Sequence, residues 1–138
     1  MNADKLTVGT PKKLILEIVS SSQTVSNGKH KTTVTLQAIC ESKLAGEYTY
    51  TNNGRAVTIK STGTGTYEAS RDNAFASPYP FKFSDNCGVL TVTGGYLTDN
   101  FGIPVSGTGT VNKTTGDITF SYTAEGYFAN RTMILKKN

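Results

Sequence analysis

The sequence predicts an all-β fold, an antiparallel up-and-down barrel or strongly curved sheet of about eight to ten short strands. Three observations predict it. The stretch Leu44-Ala45-Gly46-Glu47-Tyr48-Thr49-Tyr50 alternates with period two: Gly46, Tyr48 and Tyr50 share one face, Glu47, Thr49 and Thr51 the other. It runs into Asn53-Gly54, two residues that tolerate the positive φ of a tight hairpin turn, and then into Val57-Thr58-Ile59-Lys60, which alternates again. From there to the end, short β-branched or aromatic segments recur between Gly, Asn and Ser clusters, and nothing reads as a helix of ordinary length.

Before Leu44, Lys13–Val19 is a short apolar run whose β-branched residues favour a strand, and Thr32–Cys40 alternates Val34, Leu36 and Ala38 against Thr33, Thr35 and Gln37. Glu41-Ser42-Lys43 is a polar break, so an N-terminal segment, 1–43, precedes a barrel domain, 44–138. Within the second part, Thr66–Ser70 is the next strand, and Arg71–Pro80 is a long loop because Pro78 and Pro80 lack backbone donors. Phe81-Lys82-Phe83 and Gly88–Thr93 pair across Ser84-Asp85-Asn86; Gly94-Gly95 turns into Tyr96-Leu97, and Thr98–Pro104 is a second loop. Val105–Val111 pairs with Asp117–Thr123, and Arg131–Lys136 is the last strand.

A chain of 138 residues suits one domain with a short appendage, large enough to bury a core without metal. Its 14 basic residues are scattered, so the net charge of +4 describes a mildly basic surface, without the basic stripe of a nucleic-acid binder. One histidine, His30, and two cysteines, Cys40 and Cys87, cannot supply a tetrahedral zinc site, and no cofactor is expected. The two cysteines form a disulfide or stay as free thiols; both readings are open. No transmembrane run and no signal-peptide core follow Met1, so the chain is cytoplasmic or has lost its targeting signal.

Leu44-x-Gly46-x-Tyr48 at the start of the meander and Arg131-Thr132-Met133-Ile134-Leu135 at its end resemble the calycin pattern of lipocalins. The resemblance implies structural roles for Gly46, Tyr48 and Arg131, with the Arg131 guanidinium stacked on the Tyr48 ring at the barrel base. Together with Gly65–Glu68, Ser84–Gly88, Val105–Val111 and Ile118–Tyr122, the same segments resemble the lipocalin-like C-terminal domain of Bacteroidetes outer-membrane lipoproteins associated with glycan uptake. That resemblance implies a lipocalin-like barrel at the cell surface or in the periplasm, membrane-bound through an anchor missing from this chain. Thr32–Cys40 is similar to the last strand of the immunoglobulin-like domain that precedes it in those proteins.

No catalytic set emerges. His30 sits in a charged run, and no Gly-x-Ser-x-Gly elbow is present. Asp72, Asp85 and Asp99 each precede Asn, which suits turn capping better than acid–base work. Aromatic residues in the loops are the better lead: Tyr79, Phe101 and Tyr127, with Asn100 beside Phe101, are the expected ligand-binding residues, since exposed loop rings can stack on sugars or apolar ligands. The expected function is a non-enzymatic binding module with an oligosaccharide or a surface-protein partner and no nucleic acid. The alternatives are a structural or protein-interaction domain without a small ligand, and a carrier of an apolar ligand, which needs a hollow barrel.

Overall fold

The structure is a computed structural model that describes residues 12–17, 31–36 and 40–138. The chain divides into two units, Met1–Ile39 and Cys40–Asn138. In the first, β1 (Lys12–Glu17) and β2 (Lys31–Leu36) form an antiparallel pair, with Leu14 opposite Val34. His30 lies outside the described residues.

The second unit is a closed antiparallel barrel of eight strands. In order these are β3 (Gly46–Tyr50), β4 (Ala56–Gly63), β5 (Thr66–Ala69), β6 (Phe81–Asn86), β7 (Val89–Gly95), β8 (Val105–Val111), β9 (Ile118–Ala124) and β10 (Phe128–Lys137). Each pairs with its neighbour in sequence, and β10 returns to β3 with Leu135 opposite Tyr50 and Lys137 opposite Tyr48. Closure removes both sheet edges.

Up-and-down order sorts the connections by end. The β4–β5, β6–β7 and β8–β9 turns lie at one end, the base. The β3–β4 turn, the long β5–β6 loop, the β7–β8 connection and the β9–β10 turn lie at the other, the rim. Two connections differ from the sequence reading. The Asn53-Gly54 hairpin is a longer turn in which Gly54 alone is left-handed (φ 68°), and the Tyr50 amide donates to the Arg55 carbonyl. Tyr96-Leu97 opens a six-residue helix, α1 (Tyr96–Phe101), where the sequence reads as a turn into Tyr96-Leu97 and then a loop from Thr98. Gly102, left-handed at φ 64°, ends it, and the Ile103 amide donates to the Leu97 carbonyl.

Period-two alternation puts the apolar set inside. Tyr48, Tyr50, Val57, Ile59, Tyr67, Phe81, Phe83, Leu90, Ile118, Phe120, Tyr122, Met133 and Leu135 are all buried, while Thr, Ser, Lys and Glu dominate the outer positions. This is the reverse of the pattern of a barrel that crosses a bilayer. The interior is filled by rings: Phe81 meets Phe120 at 5.4 Å and Tyr122 at 5.3 Å, Phe83 meets Phe120 at 5.1 Å, and Tyr67 stacks on Phe83 at 5.5 Å. Glycine makes room for them. Gly107 lies opposite Tyr122 and Gly109 opposite Phe120. A methyl group on Gly109 would stand 2.6 Å from Phe120 Cδ1 and 2.7 Å from the Thr119 carbonyl oxygen.

The segment entering the barrel closes its base. Cys40 is joined to Cys87 in the β6–β7 turn, with Cα atoms 4.8 Å apart. The Cys87 amide donates to the Cys40 carbonyl, the Ser42 amide to the Asp85 carboxylate, and the Gly65 amide to Glu41. Leu44, buried, plugs the base between two tyrosine hydroxyls: its amide donates to Tyr67, and Tyr48 donates to its carbonyl. Burial, reinforced by the nearby Tyr67 and Asp117, pushes the Tyr48 hydroxyl up to about 12.

The Arg131–Tyr48 stack implied by the calycin resemblance does not form. Arg131 pairs across the sheet with Tyr122 toward the rim and stacks on Phe128 at 5.6 Å. Tyr48 points to the base, where Lys137 approaches its ring at 6.0 Å. The β10–β3 register decides this, because it sets Lys137 opposite Tyr48.

Two outcomes follow. Gly109→Ala, normally favourable in a strand by up to about 1 kcal/mol, should here destabilise by about 1–3 kcal/mol through overpacking against Phe120; an unchanged or raised urea midpoint would refute the tight fit. Replacing Cys40 and Cys87 together by alanine opens a loop closed over a separation of 47 residues. In the chain-entropy account this costs about 4 kcal/mol of unfolding free energy, and a loss below about 1 kcal/mol would show that the base strap contributes nothing.

Candidate binding cleft

The rim carries the two longest connections, 70–80 and 96–104, and together with the short β9–β10 turn they converge on one cleft. Phe75 and Tyr79 come from the β5–β6 loop, Leu97, Phe101 and Ile103 from the α1 connection, and Tyr127 from the β9–β10 turn. The cleft encloses about 470 Å³. Its rings form a continuous chain: Tyr127 meets Phe75 edge-on at 5.5 Å, Phe75 meets Tyr79 at 5.4 Å, and Tyr79 meets Phe101 at 5.9 Å and stacks on Tyr96 at 5.8 Å. Phe75 and Tyr79 are half-buried, whereas Phe101 is 55% exposed and Tyr127 63% exposed. Floor and walls therefore differ: two rings anchored in the fold lie between two rings open to solvent.

The β5–β6 loop holds its rings in place by hydrogen bonds, in addition to the packing of Phe75 and Tyr79 against the core. Asp72 is fully buried, and its Oδ1 accepts the Ala74 and Phe75 amides at 2.9 and 3.1 Å. The Asp72 amide donates to the Tyr79 carbonyl, closing the loop. Tyr50, from inside the barrel, donates to the Arg71 carbonyl at 2.7 Å. Three guanidinium groups complete the clamp: Arg55 donates to the Phe75 carbonyl, Arg71 to the Ala76 carbonyl, and Arg131 to Asn73 Oδ1. In the β3–β4 turn, Asn53 Nδ2 donates to the Asn73 backbone carbonyl, and Asn52 Oδ1 accepts from Asn73 Nδ2. A loop tied at this many points is organised before any ligand arrives, which lowers the ordering cost of binding.

The neighbouring connections are tied to the same frame. The Tyr96 amide donates to the Pro80 carbonyl, and the Glu125 amide donates to the Pro104 carbonyl. On the outer surface Lys82 pairs with Asp99 at 3.1 Å; both are exposed, so the pair adds little to stability.

Of the expected ligand-binding residues, Tyr79, Phe101 and Tyr127 come together in the cleft. Asn100 does not join them: it lies on the exposed side of α1, and its Nδ2 donates to the Tyr96 carbonyl. Phe75, Leu97 and Ile103 complete the lining and are absent from the sequence reading. The one signal for Phe75 in the sequence is an aromatic residue within the proline-bearing segment 71–80. Leu97 and Ile103 meet because the Gly102 cap folds the chain back on α1, a helix too short to show a period.

A second hollow, of about 490 Å³, lies at the base between the Cys40–Leu44 strap and the β8–β9 turn, with Lys113 and Lys137 on its border. Glu41 borders it too, with the disulfide in its lining. Among the described residues, no three His, Cys, Asp or Glu side chains converge as metal ligands would.

Burial pushes the Asp72 carboxyl up, against the opposing pull of the Phe75 and Ala74 amides and of Arg71 and Arg131. Its Oδ2 is buried without a hydrogen-bond partner. A carboxyl with a raised folded pKa favours folding below the unfolded value of about 3.9, and this contribution is lost as pH rises through the folded value. Asp72→Asn keeps an Oδ1 acceptor and removes the buried charge. It should therefore melt at least as high as the parent at pH 7, with its relative advantage disappearing near pH 3. A variant that melts well below the parent at pH 7 would show that the charge itself holds the loop.

No protein-family model, curated protein or solved structure matches this chain.

Proposed function

We propose that the barrel is a non-enzymatic binding module that holds a saccharide in the rim cleft. The observation that carries this reading is the preorganised aromatic cleft itself, with Phe101 and Tyr127 open to solvent on either side of anchored Phe75 and Tyr79. Tyrosine and phenylalanine offer flat apolar faces to the C–H face of a sugar ring, and the tyrosine hydroxyls offer polar tips to its hydroxyl groups. The filled interior speaks against carriage of an apolar ligand inside the barrel, because aromatic rings occupy the space such a ligand would need.

The proposed setting is the cell surface or the periplasm, in the manner of the lipocalin-like domains of Bacteroidetes outer-membrane lipoproteins that the sequence resembles. The Cys40–Cys87 bond supports an exported chain, since structural disulfides persist in oxidising compartments. A second reading, a protein-interaction domain, draws on the same exposed rings: Tyr96, at 42% exposure, extends the aromatic surface beyond the cleft.

Phe101→Ala and Tyr127→Ala test the proposal, because both side chains are largely exposed and their loss should leave the melting temperature nearly unchanged. In calorimetric titrations against an oligosaccharide panel, each should weaken binding by about 1–2 kcal/mol, roughly five- to thirtyfold. A parent protein that binds no member of the panel would leave the protein-interaction reading in its place.

A further inference from the structure

The clamp that positions the cleft also charges it. Arg55, Arg71 and Arg131 all reach the β5–β6 loop, and each spends one donor on it. A guanidinium has five donors; Arg71 Nε is buried without a partner, whereas Arg131 is exposed. Among the described residues none of the three forms an ion pair with a carboxylate; Lys82 pairs with Asp99, and the two charges cancel. Three other carboxylates belong to this end, and the first, Glu68, lies across the sheet from Lys60 and Lys82. Asp72 is sealed beneath the loop and pushed by burial toward its neutral form, and Glu125 is exposed on the β9–β10 turn. The rim is thus net positive beside an apolar aromatic cleft. Arg131 is the exposed member: its guanidinium lies over Phe128, which packs on Phe75 of the cleft floor at 5.8 Å. Arg55 bonds the carbonyl of Phe75 itself.

We infer that the cleft selects an acidic saccharide, one that stacks on the exposed faces of Phe101 and Tyr127 while a carboxylate is drawn to the arginines of the rim, Arg131 first. This inference rests on the saccharide reading of the cleft. Arginine is suited to the task, since its planar fork matches a carboxylate in two parallel hydrogen bonds and keeps its charge at every relevant pH. The clamp gives the loop shape and the ligand preference with the same three residues.

The test uses tetragalacturonate and its carboxyl-reduced, neutral counterpart, titrated calorimetrically into the full chain at 20 and 300 mM salt. The acidic probe should bind at least tenfold tighter at low salt, and the gap should narrow at high salt as the charges are screened. Arg131→Gln should bring the acidic probe close to the neutral one, while Arg131→Lys should restore part of the difference; Phe101→Ala should weaken both. Equal binding of the two probes, insensitive to salt and to Arg131→Gln, would overturn the acidic preference and leave the saccharide reading standing. Binding of neither probe, with the same silence toward other acidic and neutral oligosaccharides, would overturn both.

Discussion

An eight-stranded barrel encloses just enough space for its own side chains, and the opposition of glycine to aromatic residues across β8 and β9 is how this chain meets that limit. Phe120 and Tyr122 project into the interior from one strand; Gly107 and Gly109 give way on the next. Around this pair the other rings find their places: Phe81 and Phe83 against Phe120, and Tyr67 against Phe83. Each fully buried large side chain contributes on the order of 2 kcal/mol of hydrophobic stabilisation, but only if its neighbour leaves the volume free. The small residues are as necessary to the core as the large ones.

A filled interior sends function to the ends. Tight turns, the disulfide and the Leu44 plug occupy the base, and the longer connections gather at the rim. The hydroxyls of Tyr48 and Tyr50, two residues apart on one strand, illustrate the division: one bonds the Leu44 carbonyl at the base, the other the Arg71 carbonyl at the rim. Both hydroxyls are pushed up by burial, Tyr50 further than Tyr48. Each therefore stays a hydrogen-bond donor through the neutral range and fixes its end of the barrel to the connections it meets.

The rim cleft adds polar bonds to the packing of Phe75, Tyr79 and Ile103 on the core. Asp72, Asn73 and three arginines set the β5–β6 loop, and the loop in turn presents Phe75 and Tyr79. A surface site built in this way is stiff without being deeply buried, so exposed rings such as Phe101 and Tyr127 can be lost or changed without unsettling the fold. The same three guanidinium groups place positive charge beside an apolar surface.

Much of the barrel was legible in the sequence because it is a local matter. Alternation of Tyr48 and Tyr50, of Val57 and Ile59, and of Ile118, Phe120 and Tyr122 is a property of neighbouring residues, and so is the turn potential of Asn53-Gly54. Short connections then imply antiparallel neighbours. The aromatic character of the rim could also be read, since Tyr79, Phe101 and Tyr127 fall between strands. What required the tertiary structure was every relation between distant segments: the register of β10 on β3, which sends Arg131 to Phe128 instead of Tyr48; the meeting of Cys40 with Cys87; and the convergence of Phe75, Leu97 and Ile103 with the three readable rings. Sequence periodicity states which way a side chain faces. Which side chains then meet is decided by closure of the barrel, through hydrogen bonds between segments that are far apart in the chain.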